Sequence, residues 1–343
     1  MSKATNVLVT GGAGYIGAHT AVELALAGFE PILIDNLSRS DETLLNGIGD
    51  VLGRRLTFYQ GDCRDEKFLE QIFSQHDLKG VLHFAAFKAV GESVKQPELY
   101  YNNNLNSTLT MARVMARFQV QPMVFSSSCT VYGEPDQIPV DESAPLKRAE
   151  SPYGATKQMS ERILEDEART GRLRVISLRY FNPIGAHPSA RLGELPIGEP
   201  GNLVPYITQA ASGKRKSLTV FGNDYPTPDG SCIRDFIHVV DLAKAHVAAL
   251  QHLLTAPQQE AFEVINLGTG QGVSVLELIH MFVRATGVQV PFTIGPRRPG
   301  DVVKTYADVK RARERLRWHC QYSIEDALRH AWAWELKLAH STS

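Results

Sequence analysis

A short apolar run, Val7-Leu8-Val9-Thr10, leads straight into Gly11-Gly12-Ala13-Gly14-Tyr15-Ile16-Gly17. Glycines at 11, 14 and 17 follow a predicted strand and open a predicted helix, an order that few folds accommodate. Gly11 permits a tight turn, Gly14 lets backbone approach a pyrophosphate, and Gly17 lets the helix pack closely on the strand. The helix start then offers free N–H groups and the positive end of its dipole to a diphosphate. Three glycines alone are a weak signal, because glycine also serves plain turns. Here an acidic residue, Asp35, also ends the second predicted strand, 18 residues after Gly17. Its carboxylate can accept from both hydroxyls of an adenosine ribose and would repel a 2′-phosphate, so the pattern predicts NAD rather than NADP. Arg39 is the opposing signal, since a nearby guanidinium can pair with a 2′-phosphate.

The rest of the first 180 residues agrees with that opening. Strands are predicted at 6–10, 30–35, 55–60, 80–85, 122–127 and 173–179, and helices at 15–27, 65–76, 98–118 and 153–170. Such alternation predicts βαβ units and a Rossmann-type, doubly wound parallel sheet. A chain of 343 residues exceeds what one hydrophobic core usually organises. We therefore expect an NAD-binding domain over 1–181 and a smaller C-terminal α/β substrate-binding domain over 182–343, with segments near 234–266 returning to the first. Residues 182–202 carry four prolines among several glycines and read as a long loop, a length that is usually functional. Helices are predicted at 239–254, 275–285 and 324–338. Trp332 and Trp334 read as packing residues, and Lys214-Arg215-Lys216 as a solvated turn.

Charge narrows the partners. Thirty-six basic residues face 37 acidic ones, a balance that offers no broad footprint for nucleic acid or an anionic membrane. No run reaches the roughly 18 apolar residues of a membrane span, and the first ten residues lack a charged region followed by an apolar signal core. Cys63, Cys129, Cys232 and Cys320 are scattered and read as free thiols of a reducing compartment, which predicts a cytoplasmic protein. The histidines show no ligand spacing, so no metal site is expected.

Two fragments carry chemistry. Ser126-Ser127-Ser128 ends the fifth predicted strand, where ligands of open α/β sheets bind. Tyr153-Gly154-Ala155-Thr156-Lys157 starts a predicted helix, and a spacing of four puts Tyr153 and Lys157 on one face. A free phenol is a poor base at neutral pH, but an adjacent ammonium favours its phenolate. Tyr153 is then a candidate to take a hydroxyl proton while hydride leaves the same carbon, with Ser128 donating or relaying.

These residues resemble the extended short-chain dehydrogenase/reductase superfamily over essentially the whole chain. Within it, the runs His83-Phe84-Ala85-Ala86, Tyr100-Tyr101-Asn102-Asn103-Asn104, Ser126-Ser127-Ser128-Cys129-Thr130-Val131-Tyr132-Gly133 and Arg179-Tyr180-Phe181-Asn182-Pro183 are similar to the UDP-glucose 4-epimerase family. The most specific piece is Phe221-Gly222-Asn223-Asp224-Tyr225-Pro226, followed by Arg234-Asp235-Phe236-Ile237-His238. Cys129 departs from the family's frequent alanine.

The resemblance implies that Gly11, Gly14, Tyr15, Ile16, Gly17, Asp35, Asn36, Ser40, Asp62, Cys63, Phe84, Lys88 and Asn103 line NAD. Catalysis falls to Ser128, Tyr153 and Lys157, with Phe181 closing the nicotinamide end. It implies a UDP-sugar held by Lys88, Ser128, Tyr153, Asn182, Asn202, Thr219, Phe221, Arg234, Arg298, Asp301 and Thr305. The two arginines are candidates for bidentate diphosphate contacts, and Asp301 for the UDP ribose. The implied reaction oxidises C4 of the tethered sugar, turns the sugar over and reduces it on the other face. Thr305 stands where the family borders the sugar's 2-substituent, and a small residue there implies acceptance of the N-acetylated sugars as well, unless Tyr306 fills the gap. The resemblance also implies a homodimer through the helices at 98–118 and 153–170. Met111, Val114 and Met115 serve either that seam or the sheet. A 4,6-dehydratase would need a carboxylic acid pair after the strand-five serine, where Cys129 and Thr130 stand. A non-catalytic NAD sensor would have no need of the Tyr–Lys pair.

Overall fold

The structure, a computed structural model, describes residues 5–256, 260–298 and 301–341. Its first strand, β1 (Thr5–Thr10), alternates sides: Val7 and Val9 enter one core layer and Leu8 the other. The same division holds in β2 (Phe29–Asp35), where Leu33 faces one layer and Ile32 and Ile34 the opposite one. A strand apolar on both faces must be covered on both, which is the condition of a parallel sheet. With β3 (Thr57–Gln60), β4 (Leu78–His83), β5 (Pro122–Ser126) and β6 (Arg174–Tyr180), these strands form an all-parallel sheet. A seventh strand, Phe262–Leu267, pairs with β6, so the order is Phe262–Leu267, β6, β5, β4, β1, β2, β3.

One face of the sheet is covered by α1 (Tyr15–Leu26) and by the helix Val239–Thr255, which buries Leu242, Ala245, Ala249, Leu250 and Leu253 against it. The other is covered by α3 (Glu66–Gln75), α5 (Pro97–Arg117) and α6 (Pro152–Arg169), with the short α4 (Val90–Lys95) leading into α5. Met111, Val114 and Met115 all lie in that second layer and are fully buried, so they face the sheet and are not available to a helix–helix seam between copies. Caps fix the helix starts: Asp65 accepts from Phe68 N before α3, and Ser151 accepts from Gly154 N before α6, whose first residue is Pro152.

Four helices were illegible in sequence, among them Val90–Lys95 and Lys310–Leu316, and the other two show why. α2 (Glu42–Leu52) contains Gly47 and Gly49, which disguise its period. Gly47 is there for contact, because a Cβ would lie 2.2 Å from the Arg191 carbonyl oxygen. The other, Leu203–Ala211, follows the Gly/Pro-rich stretch and tolerates Pro205 only because it sits in the first turn. The stretch itself begins with a short strand, Asn182–Ile184, paired to Phe236–His238, and carries a further β-bridge between Ala186 and Gly193.

A second lobe has its own core, built from the helices Leu203–Ala211, Val275–Thr286 and Ile324–Ser341 and the strand pair Leu218–Phe221 with Phe292–Gly295. Trp332 packs edge-on against Phe282 there, while Trp334 joins the main core. Of the basic cluster, Lys214 stays exposed while its ammonium pairs with buried Glu335, and Arg215 lies over the Tyr206 ring.

Candidate active site

The glycine loop has the geometry its spacing predicts. Gly11 has φ +68°, and a Cβ on Gly17 would stand 2.2 Å from the Gly11 carbonyl oxygen, inside any tolerable contact. Gly14 is the N-cap of α1 and supplies no side-chain cap, so the first-turn N–H groups stay free for a ligand. Asp35 closes the loop from β2, accepting from Ala13 N at 3.2 Å, Leu37 N at 2.9 Å and Ser40 Oγ at 2.9 Å. Next to it, Asn36 donates to Asp62, whose carboxyl the Arg64 guanidinium holds down to about 2. A cradle that a Cβ would fill, an uncapped helix start and a carboxylate at the next strand end together fit a dinucleotide. Arg39, the opposing signal, is committed elsewhere: it pairs with Glu92 and lies 4.8 Å from the Phe87 ring centroid.

Not every residue implied for NAD presents its side chain to this loop. Tyr15 is buried and donates to the Gly185 carbonyl, so α1 offers its main chain there. Cys63 is buried among Ile32, Ile34 and Leu69, and burial pushes its thiol up. Ile16 is half-buried against the core. Phe84 tilts over His246, with ring centroids 4.7 Å apart. Asn103 donates to Asn104, which in turn ties the Phe87 backbone to Thr156 on α6.

The carboxyl end of β5 and the start of α6 converge, as expected. Lys157 Nζ donates to the Ser126 carbonyl oxygen at 2.6 Å and lies 4.8 Å from the Phe125 ring centroid and 6.0 Å from that of Tyr153. Burial lowers the Lys157 ammonium to about 8, opposed by the Glu161 carboxylate. Burial also pushes the Tyr153 phenol well up, with neighbouring Tyr180 adding to the rise and the Ser128 hydroxyl beside it working the other way. Ser128 Oγ accepts from Thr130 N and Thr130 Oγ1. Tyr180 is a member of this centre that the sequence reading passed over: its hydroxyl meets Ser126 Oγ at 2.7 Å. The adjacent Phe181 enters a different cluster, with Val131, Tyr132, Val140, Ala307 and Val309. Alternation along an extended chain sends neighbours to opposite faces, and choosing between an adjacent Tyr and Phe needs the register.

Opposite this centre lies a set of charges drawn from distant segments. Arg234 Nη2 lies 3.6 Å from Asp301, and Arg298 donates to both Asp301 oxygens at 2.6 and 3.2 Å. Arg298 also lies over the Phe221 ring at 5.7 Å. Arg234 is close enough to Cys129 to lower its pKa against the dominant rise from burial. The clamp therefore borders the residue that follows Ser128. Asp235, fully buried, holds the segments together by accepting from Thr269, Gly270 and Ala307. Thr305 pairs in register with Arg234. Thr219 lies in a separate two-stranded sheet, opposite Thr293. Asn182 N donates to the Asp235 carbonyl. Asn202 and Lys88 share one partner, Glu194, whose carboxylate accepts from them at 2.6 and 3.2 Å. Glu194 carries no sequence signal, being one acid in a long loop.

Comparison with known proteins agrees with the geometry. The profile of the NAD dependent epimerase/dehydratase family matches residues 7–268. A UDP-glucose 4-epimerase of Bacillus subtilis (strain 168) is 47% identical over 330 residues, 96% of each chain. Among solved structures, the UDP-glucose-4-epimerase of Stenotrophomonas maltophila with bound NAD and formylated UDP-arabinopyranose superimposes with a TM-score of 0.95 at 47% identity, over 98% of this chain and 99% of that one. The UDP-glucose 4-epimerase of Bifidobacterium longum in complex with NAD+ and UDP gives 0.93 at 45% identity, over 97% and 98%.

Proposed function

The chain belongs to the NAD dependent epimerase/dehydratase family, and from that premise we propose that it interconverts UDP-glucose and UDP-galactose by inverting C4. The observation that carries this reading is the pairing of Tyr153 and Lys157 at the end of β5, in a chain alike from end to end to UDP-glucose 4-epimerases. Gly11, Gly14, Gly17 and Asp35 hold NAD, which when bound supplies the acceptor for hydride from C4 and the donor for its return.

The protein's own residues handle the protons and the position of the sugar. Tyr153 Oη takes the proton of the 4-hydroxyl and gives it back after the sugar has turned. Because burial favours the neutral phenol, a phenolate needs positive charge beside it, and Lys157 supplies that. Ser128 orients the 4-oxygen through its hydroxyl. Arg234, Arg298 and Asp301 grip the UDP end, exchanging their mutual bonds for diphosphate and ribose, while the sugar end stays loosely held and free to rotate. Lys88 and Asn202, linked through Glu194, tie the NAD side to the substrate side. The dehydratase alternative lacks its carboxylic acids: Cys129 is a partly buried thiol that desolvation pushes up to about 12, and Thr130 donates its hydroxyl to Ser128.

The substrate range is broader in this reading. The Tyr306 ring lies against Gly272 and under Lys304, which supports a reading in which it leaves the space beside Thr305 open. A threonine leaves room where a ring would overlap an N-acetyl group. The enzyme therefore also interconverts UDP-N-acetylglucosamine and UDP-N-acetylgalactosamine. NMR of products from UDP-galactose and UDP-N-acetylgalactosamine tests both statements. Turnover of neither refutes the function, and turnover of UDP-galactose alone refutes the wider range. Thr305→Tyr is expected to abolish N-acetyl turnover and spare UDP-galactose.

The working form is a cytoplasmic homodimer joined through the outer faces of α5 and α6, where Leu109 and Met159 are exposed apolar residues. Light scattering that finds only a 37.9 kDa species at micromolar concentration overturns the dimer. No helix among the described residues is long and apolar enough to cross a membrane.

A further inference from the structure

Glu161 stands one helical turn after Lys157 and two after Tyr153, so α6 presents three ionisable side chains on one face. Its carboxylate is buried and crowded with donors. Oε1 accepts from Ser127 Oγ at 2.6 Å, Ser177 Oγ at 2.8 Å and Arg179 Nε at 2.9 Å, and Oε2 from Arg179 Nη2 at 2.6 Å. Side-chain exposure is 4% for Glu161 and 6% for Arg179. Arg179 in turn lies over Tyr132, whose hydroxyl donates to Asn266.

A buried ion pair is weak evidence of stabilisation, because desolvation of both charges offsets most of their attraction, and an apolar pair of similar volume often does as well. Its location suggests a different use. Ser127, which Glu161 grips, lies between Ser126, whose carbonyl anchors Lys157, and Ser128 beside Tyr153. The Glu161 side chain thus fixes the strand end from which both catalytic contacts are made. It is also the carboxylate whose field favours the Lys157 ammonium. The other titratable groups facing Lys157 and its partner are Tyr153 on the same helix, His83 from β4, which burial keeps neutral down to about 3, and Tyr180 from β6. Apart from the Tyr153 phenolate of the reacting state, none of these supplies negative charge at neutral pH.

We propose that Glu161 is a positioning residue of the reaction, acting through Lys157 and the 126–128 strand end, and that Arg179 is there to seat it. The inference rests on the epimerase reading above.

The discriminating variant is Glu161→Leu/Arg179→Met, which replaces both charges with apolar groups of similar size and so preserves the fold. It is assayed as the full chain loaded with NAD. Both charges go, but of the two it is the Glu161 carboxylate that acts on Lys157, so the alkaline limb of the kcat profile is expected to move down by about one pH unit. That amounts to about a tenfold loss of kcat at alkaline pH. The KM for UDP-galactose is expected to stay within about twofold, since nothing in the diphosphate clamp has changed. Glu161→Gln, which keeps the shape and an oxygen for Ser127, is expected to shift the limb in the same direction. A folded, NAD-loaded variant with the parental pH profile, in either form, overturns the proposal and makes the pair structural. If the parent itself fails to turn over UDP-galactose, it is the epimerase reading that falls.

Discussion

In the function proposed above, the glycine loop and the Arg234–Asp301–Arg298 clamp face the same chemical group, a diphosphate, and meet it by opposite means. The loop uses main chain: an uncapped helix start and positions where a Cβ would collide with backbone. Nothing in it has to be displaced by a ligand. The clamp uses side chains from segments some 65 residues apart, and in the structure they satisfy one another. A ligand that enters must break those bonds. Arg234 and Asp301 are largely buried and Arg298 is exposed, so the exchange replaces one set of charge-assisted bonds with another. One site is preformed and suits a cofactor that stays. The other is a set of partners poised for exchange and suits a substrate that leaves.

The largest effect is expected where the two meet. Tyr153→Phe removes the proton-transfer group and neither grip, so kcat is expected to fall by about 10²–10⁴ with NAD content unchanged. Steady-state rates alongside absorbance of the bound nucleotide check this, and near-parental turnover removes Tyr153 from its role. The clamp comes next. Arg234→Ala deletes a charge-assisted contact and is expected to raise KM for UDP-galactose by about 10–100-fold while kcat changes little. A loss confined to kcat would place Arg234 with the chemistry and blur the contrast. Asp35→Ala is the smallest. Because main chain carries most of the loop's grip, NAD affinity is expected to weaken by only about tenfold, with relaxed discrimination against NADP. Titration of both nucleotides measures it. An unchanged preference would show that Asp35 does not set the choice.

The same contrast explains what was legible in sequence. Backbone constraints leave residue-type marks, so the strand–glycine–helix opening and the acid at the end of β2 could be read directly. The Tyr153–Lys157 spacing was equally legible, because both residues sit on one helix and a fixed period relates them. Glu194 and Glu161 were missed for the opposite reason. An acid in a loop or on a helix looks like any solvated charge until the fold supplies Lys88 and Asn202, or Ser127 and Arg179, around it. Tyr180 was lost to its neighbour Phe181, a choice that depends on which face of the strand end is buried. Met111, Val114 and Met115 left two faces open that only the packed sheet could separate. Helix α2 hid because Gly47 answers to Arg191, far along the chain.

The return of the chain to its first sheet has a consequence for synthesis. The edge strand Phe262–Leu267 and the helix Val239–Thr255 complete a layer begun by residues 5–180. While the polypeptide is still emerging from the ribosome, β6 presents an unpaired edge, and Leu82, Val124 and Ile176 lack their cover. The nucleotide-binding half therefore cannot finish folding before the segments that follow the first part of the second lobe have been made. The two lobes mature together, and the nascent chain passes through a stage in which a chaperone has apolar surface to hold.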